Sequence, residues 1–174
     1  MIFEGKVWKF GESISTDLMM PGTEVLSRPG MSDEEAAGYC MQANRPDWAA
    51  QVQKGDIVIA GQNWGCGSSR TAARLFKALG ISAIVTDSMS RLFFRNAINI
   101  GLPVLICNDV SEAFEEGDQA RVNMEKGEVS NLNKGLKLQG EALPDDSPPM
   151  QILRAGGLDA FMREEAAVRA REHE

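Results

Sequence analysis

The segment 56–80 constrains the fold more than any other part of the chain, because it joins an apolar run, a glycine-rich turn and a helical pattern. Residues 56–60 are typical of a buried strand, and residues 71–80 are typical of a short helix that ends at a glycine. The turn between them holds three glycines, which let the backbone bend sharply and approach a ligand closely. The sequence therefore predicts a strand, turn and helix with a binding site at the turn.

The turn ends in Gly67, Ser68, Ser69 and Arg70, and these residues favour a small anion as the ligand. A helix start offers unpaired N–H groups and the positive end of a dipole, and an arginine can hold a carboxylate through two hydrogen bonds. A P-loop is excluded because Gly67, not a lysine, precedes Ser68, and a dinucleotide fingerprint would need a glycine in place of Arg70. The alternative is that Ser68 or Ser69 only caps the helix, and the spacing alone leaves both interpretations open.

Length and charge limit the class of protein. The chain has 174 residues, and we expect one domain over 1–174, with 150–174 as a C-terminal helical extension. Its net charge of −7 argues against nucleic acid as the main partner, because phosphate binding needs a basic face. No run of residues is long and apolar enough to span a bilayer, and the N-terminus does not resemble a signal peptide. We therefore expect no membrane association and a cytoplasmic location.

The cysteines and the single histidine limit the chemistry. Cys40, Cys66 and Cys107 are widely spaced without a C-x-x-C pair, so an iron–sulfur cluster or another metal site within this chain is not indicated. Cys40 and Cys107 fall in a predicted helix and a predicted strand, where buried small side chains are the usual explanation. His173 lies in a charged tail, which argues against a Ser–His or Cys–His pair and against a histidine zinc site.

The remaining pattern predicts an α/β fold with a mixed sheet flanked by helices. A first strand is predicted at 6–10, and strands at 56–60, 81–86 and 102–107 alternate with helices in the manner of a parallel sheet. Three short alternating segments between 119 and 139 predict antiparallel strands. Further helices are predicted at 32–43, with Ser32 and Glu35 as a capping box, at 89–100, with Asp87 or Ser88 as the cap, at 109–116 and at 150–155. An amphipathic helix with a frayed, charged end is predicted at 158–171.

Two residues outside the turn are further candidates for the site. Asp17 lies in a polar turn after the first strand, and Arg28 is the one cation in the irregular loop 23–31. A turn-forming aspartate and a solvated surface arginine are the ordinary interpretations of such residues. Arg91 and Arg95 are four residues apart and share one helix face, for which exposure to solvent is the usual reason.

Several of these motifs occur together in a recognisable order. The chain resembles the small-subunit family of 3-isopropylmalate dehydratase, which is similar to the swivelling fourth domain of aconitase. The resemblance covers nearly the whole chain. The motifs that carry it are Val-Trp-Lys-Phe-Gly at 7–11, Thr-Asp at 16–17 with Pro21, the turn at 61–70, Arg-Asn-Ala-Ile-Asn-Ile-Gly-Leu-Pro at 95–103 and Ile-Leu-Arg-Ala-Gly-Gly-Leu at 152–158.

The resemblance implies a β/β/α swivelling domain and a hydro-lyase that is inactive without a separate large subunit. That subunit would carry a [4Fe–4S] cluster, and this chain would hold no cofactor. The substrate would be a hydroxy di- or tricarboxylate, most simply in the exchange of 2- and 3-isopropylmalate during leucine biosynthesis. Ser68 would remove a proton from the carbon beside a carboxylate, Arg70 would hold a carboxylate and Asp17 would complete the catalytic set. Ser69, Gly67 and Arg28 would bind substrate.

The chain departs from the family pattern at two places, and each keeps an alternative open. Thr71 and Ala72 stand where the family usually has Glu-His, and the loop 23–30 differs from the stretch that distinguishes substrates. A related dehydratase of the methylmalate, dimethylmalate or homoaconitate type is therefore an alternative. The other is a non-catalytic module that binds a carboxylate without turnover.

Overall fold

The computed structural model describes residues 1–20, 22, 28, 30–67 and 72–172. The strands are β1 (Ile2–Phe10), β2 (Ile57–Ala60), β3 (Ala83–Thr86), β4 (Val104–Ile106), β5 (Gln119–Asn123), β6 (Glu128–Asn131) and β7 (Leu136–Gln139). The helices of the described residues are α1 (Thr16–Met19), α2 (Asp33–Ala37), α3 (Trp48–Gln51), α4 (Ala73–Ala78), α5 (Arg91–Asn99), α6 (Val110–Ala113), α7 (Pro148–Ala155) and α8 (Leu158–Glu172).

The strands form one mixed sheet in the order β4-β3-β2-β1-β5-β6-β7. Strands β1 to β4 run parallel, and β5, β6 and β7 continue the sheet in antiparallel pairs. Strand β1 belongs to both halves, because Ile2–Lys6 pairs with β5 and Val7–Phe10 pairs with β2. The predicted α/β class, with a mixed sheet flanked by helices, is confirmed.

Helix ends and strand lengths account for most differences from the predictions. Strand β1 begins at Ile2 rather than at residue 6, because its first half is stabilised by the distant strand β5. The capping box at Ser32 and Glu35 is confirmed, but α2 ends at Ala37 and only turns continue to residue 43. The cap of α5 is Ser90, so the prediction of Asp87 or Ser88 is wrong.

The last helix, α8, also differs from its prediction, because most of its residues are exposed to solvent. Residues 162–171 of α8 are all exposed, with 58% of Met162 and 51% of Val168 open to solvent. An amphipathic helix would bury one stripe along its length, so that prediction is wrong for this part of α8. No helix in the described ranges has the length and apolar character that crossing a membrane requires.

A buried hydrogen bond joins the second half of β1 to the residue directly before β2. The indole nitrogen of Trp8 donates to Oδ2 of Asp56 at 2.6 Å, and the backbone N–H of Gln53 donates to the same oxygen at 2.9 Å. Asp56 is only 6% exposed and Trp8 4%. A buried polar group destabilises the fold unless it is hydrogen-bonded. Asp56 therefore supplies the acceptor that the buried indole N–H of Trp8 requires.

We therefore expect Asp56→Ala to lower the free energy of unfolding by about 2–3 kcal/mol, because it leaves the Trp8 indole buried without an acceptor. Urea denaturation followed by tryptophan fluorescence measures this loss. Asp146→Ala, at an exposed turn, is the control and should change stability by less than about 0.5 kcal/mol. Equal stability of the two variants would show that the Trp8–Asp56 bond contributes little.

Candidate functional site

The predicted turn lies at the carboxyl end of the central parallel strand β2, where parallel α/β sheets commonly bind ligands. Residues 61–67 lead from β2 toward α4, and Ala72 is described again immediately before that helix. Ser68, Ser69 and Arg70 lie outside the described residues, so their roles stay predictions. What the structure does describe is how residues 61–67, the segment that leads to them, are held from two sides.

One side of the loop is bound to the segment after β1. The N–H of Gly65 donates to the carbonyl of Ile14 at 2.8 Å, and the N–H of Thr16 donates to the carbonyl of Cys66 at 3.0 Å. Ser15 and Cys66 form a parallel β-bridge. These bonds place residues 14–16 alongside residues 65–67.

This pairing places Thr16, the residue before Asp17, beside Gly67. Asp17 is the second residue of α1, directly after Thr16, and its side chain is exposed. A Cβ placed on Gly67 would lie 3.9 Å from Oγ1 of Thr16. The predicted catalytic aspartate and the residue before Ser68 therefore lie at one edge of the sheet, although 50 positions separate them in the chain.

The other side of the loop is bound to the start of α5. The N–H of Trp64 donates to the carbonyl of Ser88 at 3.0 Å, and the N–H of Ser90 donates to the carbonyl of Trp64 at 2.8 Å. The Ser90 hydroxyl donates to the carbonyl of Gly65 at 2.7 Å and accepts from the N–H of Phe93 at 3.1 Å. Ser90 thus caps α5 and holds the loop with one side chain.

Ser90 is a site residue that the sequence analysis did not identify. Three polar residues precede the helix, and each is a reasonable N-cap by residue type: Asp87, Ser88 and Ser90. The hydrogen bond from Ser90 to Gly65 crosses 25 residues. Such a contact has no local pattern in the sequence.

A group of buried aromatic rings packs against Trp64 of the loop. Trp64 is fully buried, with its ring centroid 5.7 Å from that of Phe76, 5.8 Å from that of Phe10 and 6.1 Å from that of Phe93. Rings packed at these distances and angles attract one another beyond the effect of burial alone. The loop is therefore anchored at Trp64 by buried aromatic packing.

Arg28 is placed by contacts of its own. It is exposed, its Nη1 donates to the hydroxyl of Tyr39 at 3.2 Å, and its guanidinium lies 5.8 Å from the centre of that ring. Arg28 and Tyr39 line a surface pocket together with Met31 and Glu35, and neither Asp17 nor Gly67 is among the lining residues. A role for Arg28 in substrate binding stays a prediction.

Two of the three cysteines are buried, as the sequence predicted. Cys40 and Cys107 are buried, and burial raises the pKa of the Cys40 thiol well above its ordinary value. Burial, with the nearby carboxylates of Asp87 and Asp109, raises the pKa of Cys107 to about 11. Cys66 is partly exposed within residues 61–67, which we call the site loop.

Throughout the described ranges, no three His, Cys, Asp or Glu side chains cluster in a way that could hold a metal ion.

Comparisons with known proteins agree with this geometry. Residues 18–108 match the family model of the aconitase C-terminal domain. The isopropylmalate/citramalate isomerase small subunit of Methanocaldococcus jannaschii is 44% identical over 95% of this chain and 96% of that protein. The 3-isopropylmalate dehydratase small subunit of Heliobacterium modesticaldum is 40% identical over 96% and 98%.

A further relative carries a different name, and a solved structure has the same fold. The methanogen homoaconitase small subunit of Methanothermobacter thermautotrophicus is 39% identical over 90% of this chain and 88% of that protein. The crystal structure of 3-isopropylmalate dehydratase from Methanocaldococcus jannaschii superposes with a TM-score of 0.91 at 32% identity, covering 99% of both chains. The chain therefore belongs to the small-subunit family of 3-isopropylmalate dehydratase, a hydro-lyase of the aconitase superfamily.

Proposed function

We propose that this chain is the small subunit of a cytoplasmic hydro-lyase that exchanges 2- and 3-isopropylmalate in leucine biosynthesis, and that it acts together with a large subunit carrying a [4Fe–4S] cluster. The observation that carries the proposal is the pairing of residues 14–16 with residues 65–67, because Asp17 directly follows the first segment and Ser68 directly follows the second. Relatives named as small subunits over nearly their full length support the need for a partner.

The described residues do not fit a cluster within this chain, because they offer no group of three potential ligands. A cluster held by the partner would supply a Lewis acid for the leaving hydroxyl. This chain would supply the proton transfer. Ser68 Oγ, as the alkoxide, would take the proton from the carbon beside a carboxylate, and the electrons of that C–H bond would form the C=C bond as hydroxide leaves.

The remaining site residues would make this step possible. A serine hydroxyl is a weak base unless its alkoxide is stabilised, and the guanidinium of Arg70 would provide positive potential in a closed site. Arg70 would also hold a substrate carboxylate through paired hydrogen bonds, while Ser69 and Gly67 would bind and orient it. In rehydration, Ser68 would return its proton to the neighbouring carbon, so the residue ends each cycle as it began.

The substrate distinguishes the proposal from its alternatives. Relatives are named for isopropylmalate, citramalate (2-methylmalate) and homoaconitate reactions, and the loop that differs from the family pattern lies mostly outside the described residues. We suggest combining the purified chain with its cluster-loaded large subunit. The absorbance of the unsaturated acid is then followed with 2-isopropylmalate, citramalate and homocitrate in turn.

Turnover of 2-isopropylmalate with the highest kcat/KM is the expected result. A higher value with citramalate or homocitrate would transfer the assignment to that substrate. Carboxylate binding by the chain without turnover in any such mixture would favour the non-catalytic module and contradict the proposal.

Asp17→Asn tests the role of the second catalytic residue. The change keeps the shape of the side chain but removes its charge, one residue after Thr16, which lies beside Gly67. We expect kcat to fall about 100-fold with little change in KM, because a lost charge-assisted hydrogen bond costs about 2–3 kcal/mol. Glu12→Gln is the matched control, since Glu12 is exposed and contacts the opposite end of the loop at Gly61. Similar kcat values for both variants would remove Asp17 from the catalytic set.

A further inference from the structure

A groove of about 540 Å³ lies between α5 and α7, over the end of β4, and we call it the α5–α7 groove. Its walls are largely apolar, with Phe94 and Ile98 from α5, Ile106 from β4 and Ile152 from α7. Phe94, Ile106 and Ile152 are each partly exposed, so apolar surface remains open to solvent here. A concave apolar surface of this volume is large enough to receive several side chains of a partner.

Two unpaired arginines line the same groove. Arg91 and Arg95 are exposed and stand one turn apart on α5. Neither forms an ion pair with any described residue. Five other arginines do pair with carboxylates: Arg45, Arg74, Arg121, Arg154 and Arg169. The chain as a whole is negative, with a net charge of −7. Two guanidinium groups beside apolar walls therefore form a local positive surface, which is complementary in charge to an acidic partner.

The acidic residue in the groove does not neutralise this pair. Glu141 also lines the groove and its backbone N–H donates to the carbonyl of Ile106 at 2.8 Å. Its carboxylate forms no ion pair with Arg91, Arg95 or any other described cation. The groove therefore presents two positive groups and one negative group, all of them available for new contacts.

The groove begins beside the site loop. Met89 lines the groove and forms a β-bridge with Trp64 of the loop. Ser90, the next residue, forms hydrogen bonds with Trp64 and Gly65 and caps α5, which begins at Arg91. A protein that covers the site loop to complete the active site can therefore reach the groove without a gap.

We infer that the α5–α7 groove is a docking surface for the large subunit, and that it receives a segment with carboxylates for Arg91 and Arg95 and apolar side chains for the walls. This inference rests on the proposed function, which requires a large subunit over the same edge of the sheet. A second copy of this chain is the competing occupant. It is less favoured because the groove is continuous with the loop that a different subunit must cover.

The test measures the affinity of the two subunits, not their activity. We suggest isothermal titration of the cluster-loaded large subunit with the chain and with two variants. Arg91→Glu/Arg95→Glu should raise Kd about 100-fold, because each close charge pair at an interface contributes several-fold to more than tenfold in affinity. Ala142→Trp, at an exposed position of the groove, should raise Kd at least tenfold by filling the space that the partner needs.

Arg163→Glu/Arg171→Glu is the matched control, with the same change of charge at two exposed arginines of α8 that form no ion pair with a described residue. Its Kd should stay within about threefold of the unmodified chain. An unchanged Kd in both groove variants, or an equal rise in the control, would overturn the inference. So would sedimentation showing that the chain forms a dimer that only the groove variants dissociate. Failure of the unmodified chain to bind any large subunit would instead contradict the proposed function.

Discussion

Replacing Ser68 with alanine is expected to reduce kcat at least 1,000-fold in the reconstituted enzyme, since the variant has no oxygen that can accept the substrate proton. KM should change only a few-fold, because Arg70 and Ser69 would still hold the carboxylate. The measurement is the rate of appearance of the unsaturated acid with the large subunit in excess.

Cys66→Ala provides the matched control for Ser68→Ala. Cys66 lies two residues away in the same loop and its described hydrogen bond uses the backbone carbonyl, which alanine retains. We expect Cys66→Ala to keep more than half of the wild-type kcat. Equal rates for wild type and Ser68→Ala would show that the base lies elsewhere, in the large subunit or on another residue of this chain.

Gly65→Ala is expected to lower the free energy of unfolding by about 3 kcal/mol and Tm by about 6–12 °C. Gly65 has φ +71°, a conformation that glycine adopts freely and alanine adopts at a cost. A Cβ on Gly65 would also lie 2.4 Å from Cβ of Phe93, so either the loop or the start of α5 must move. Because Gly65 bonds to both Ile14 and Ser90, activity should fall together with stability.

Gly117→Ala separates these two causes. Gly117 has φ +88°, but a Cβ there would meet nothing within 4 Å. The variant carries the backbone cost without the collision, and we expect a loss of about 1 kcal/mol. Calorimetry on both variants gives the difference directly. If Gly65→Ala is no less stable than Gly117→Ala, Phe93 does not restrict the loop.

Most of the fold could be predicted because its signals are local. Residues 57–60 of β2 and 83–85 of β3 are apolar without alternation, as is typical of strands that are buried on both faces. The alternation at 119–124 likewise predicts β5, where Ala120 and Val122 are buried and Gln119 and Arg121 are exposed. The first half of β1 could not be predicted in this way, since it is stabilised by pairing with a strand more than 100 residues away.

The site was predictable to a smaller extent. The glycine turn could be predicted because glycine is the usual residue wherever a backbone must turn sharply. The partners that hold it, Ile14, Thr16 and Ser90, contribute mainly through backbone atoms or through a serine that resembles any other helix cap. Backbone hydrogen bonds leave no trace in side-chain identity, so these contacts can be found only in the folded molecule.

The hydrogen bonds on either side of the Gly-rich loop come chiefly from carbonyl and amide groups, which nearly every amino acid carries. Side chains next to the loop can therefore be exchanged without removing the backbone bonds that hold residues 61–67 in place. On the proposed function, a change of substrate would need new side chains only, and the backbone bonds that hold the loop would stay as they are.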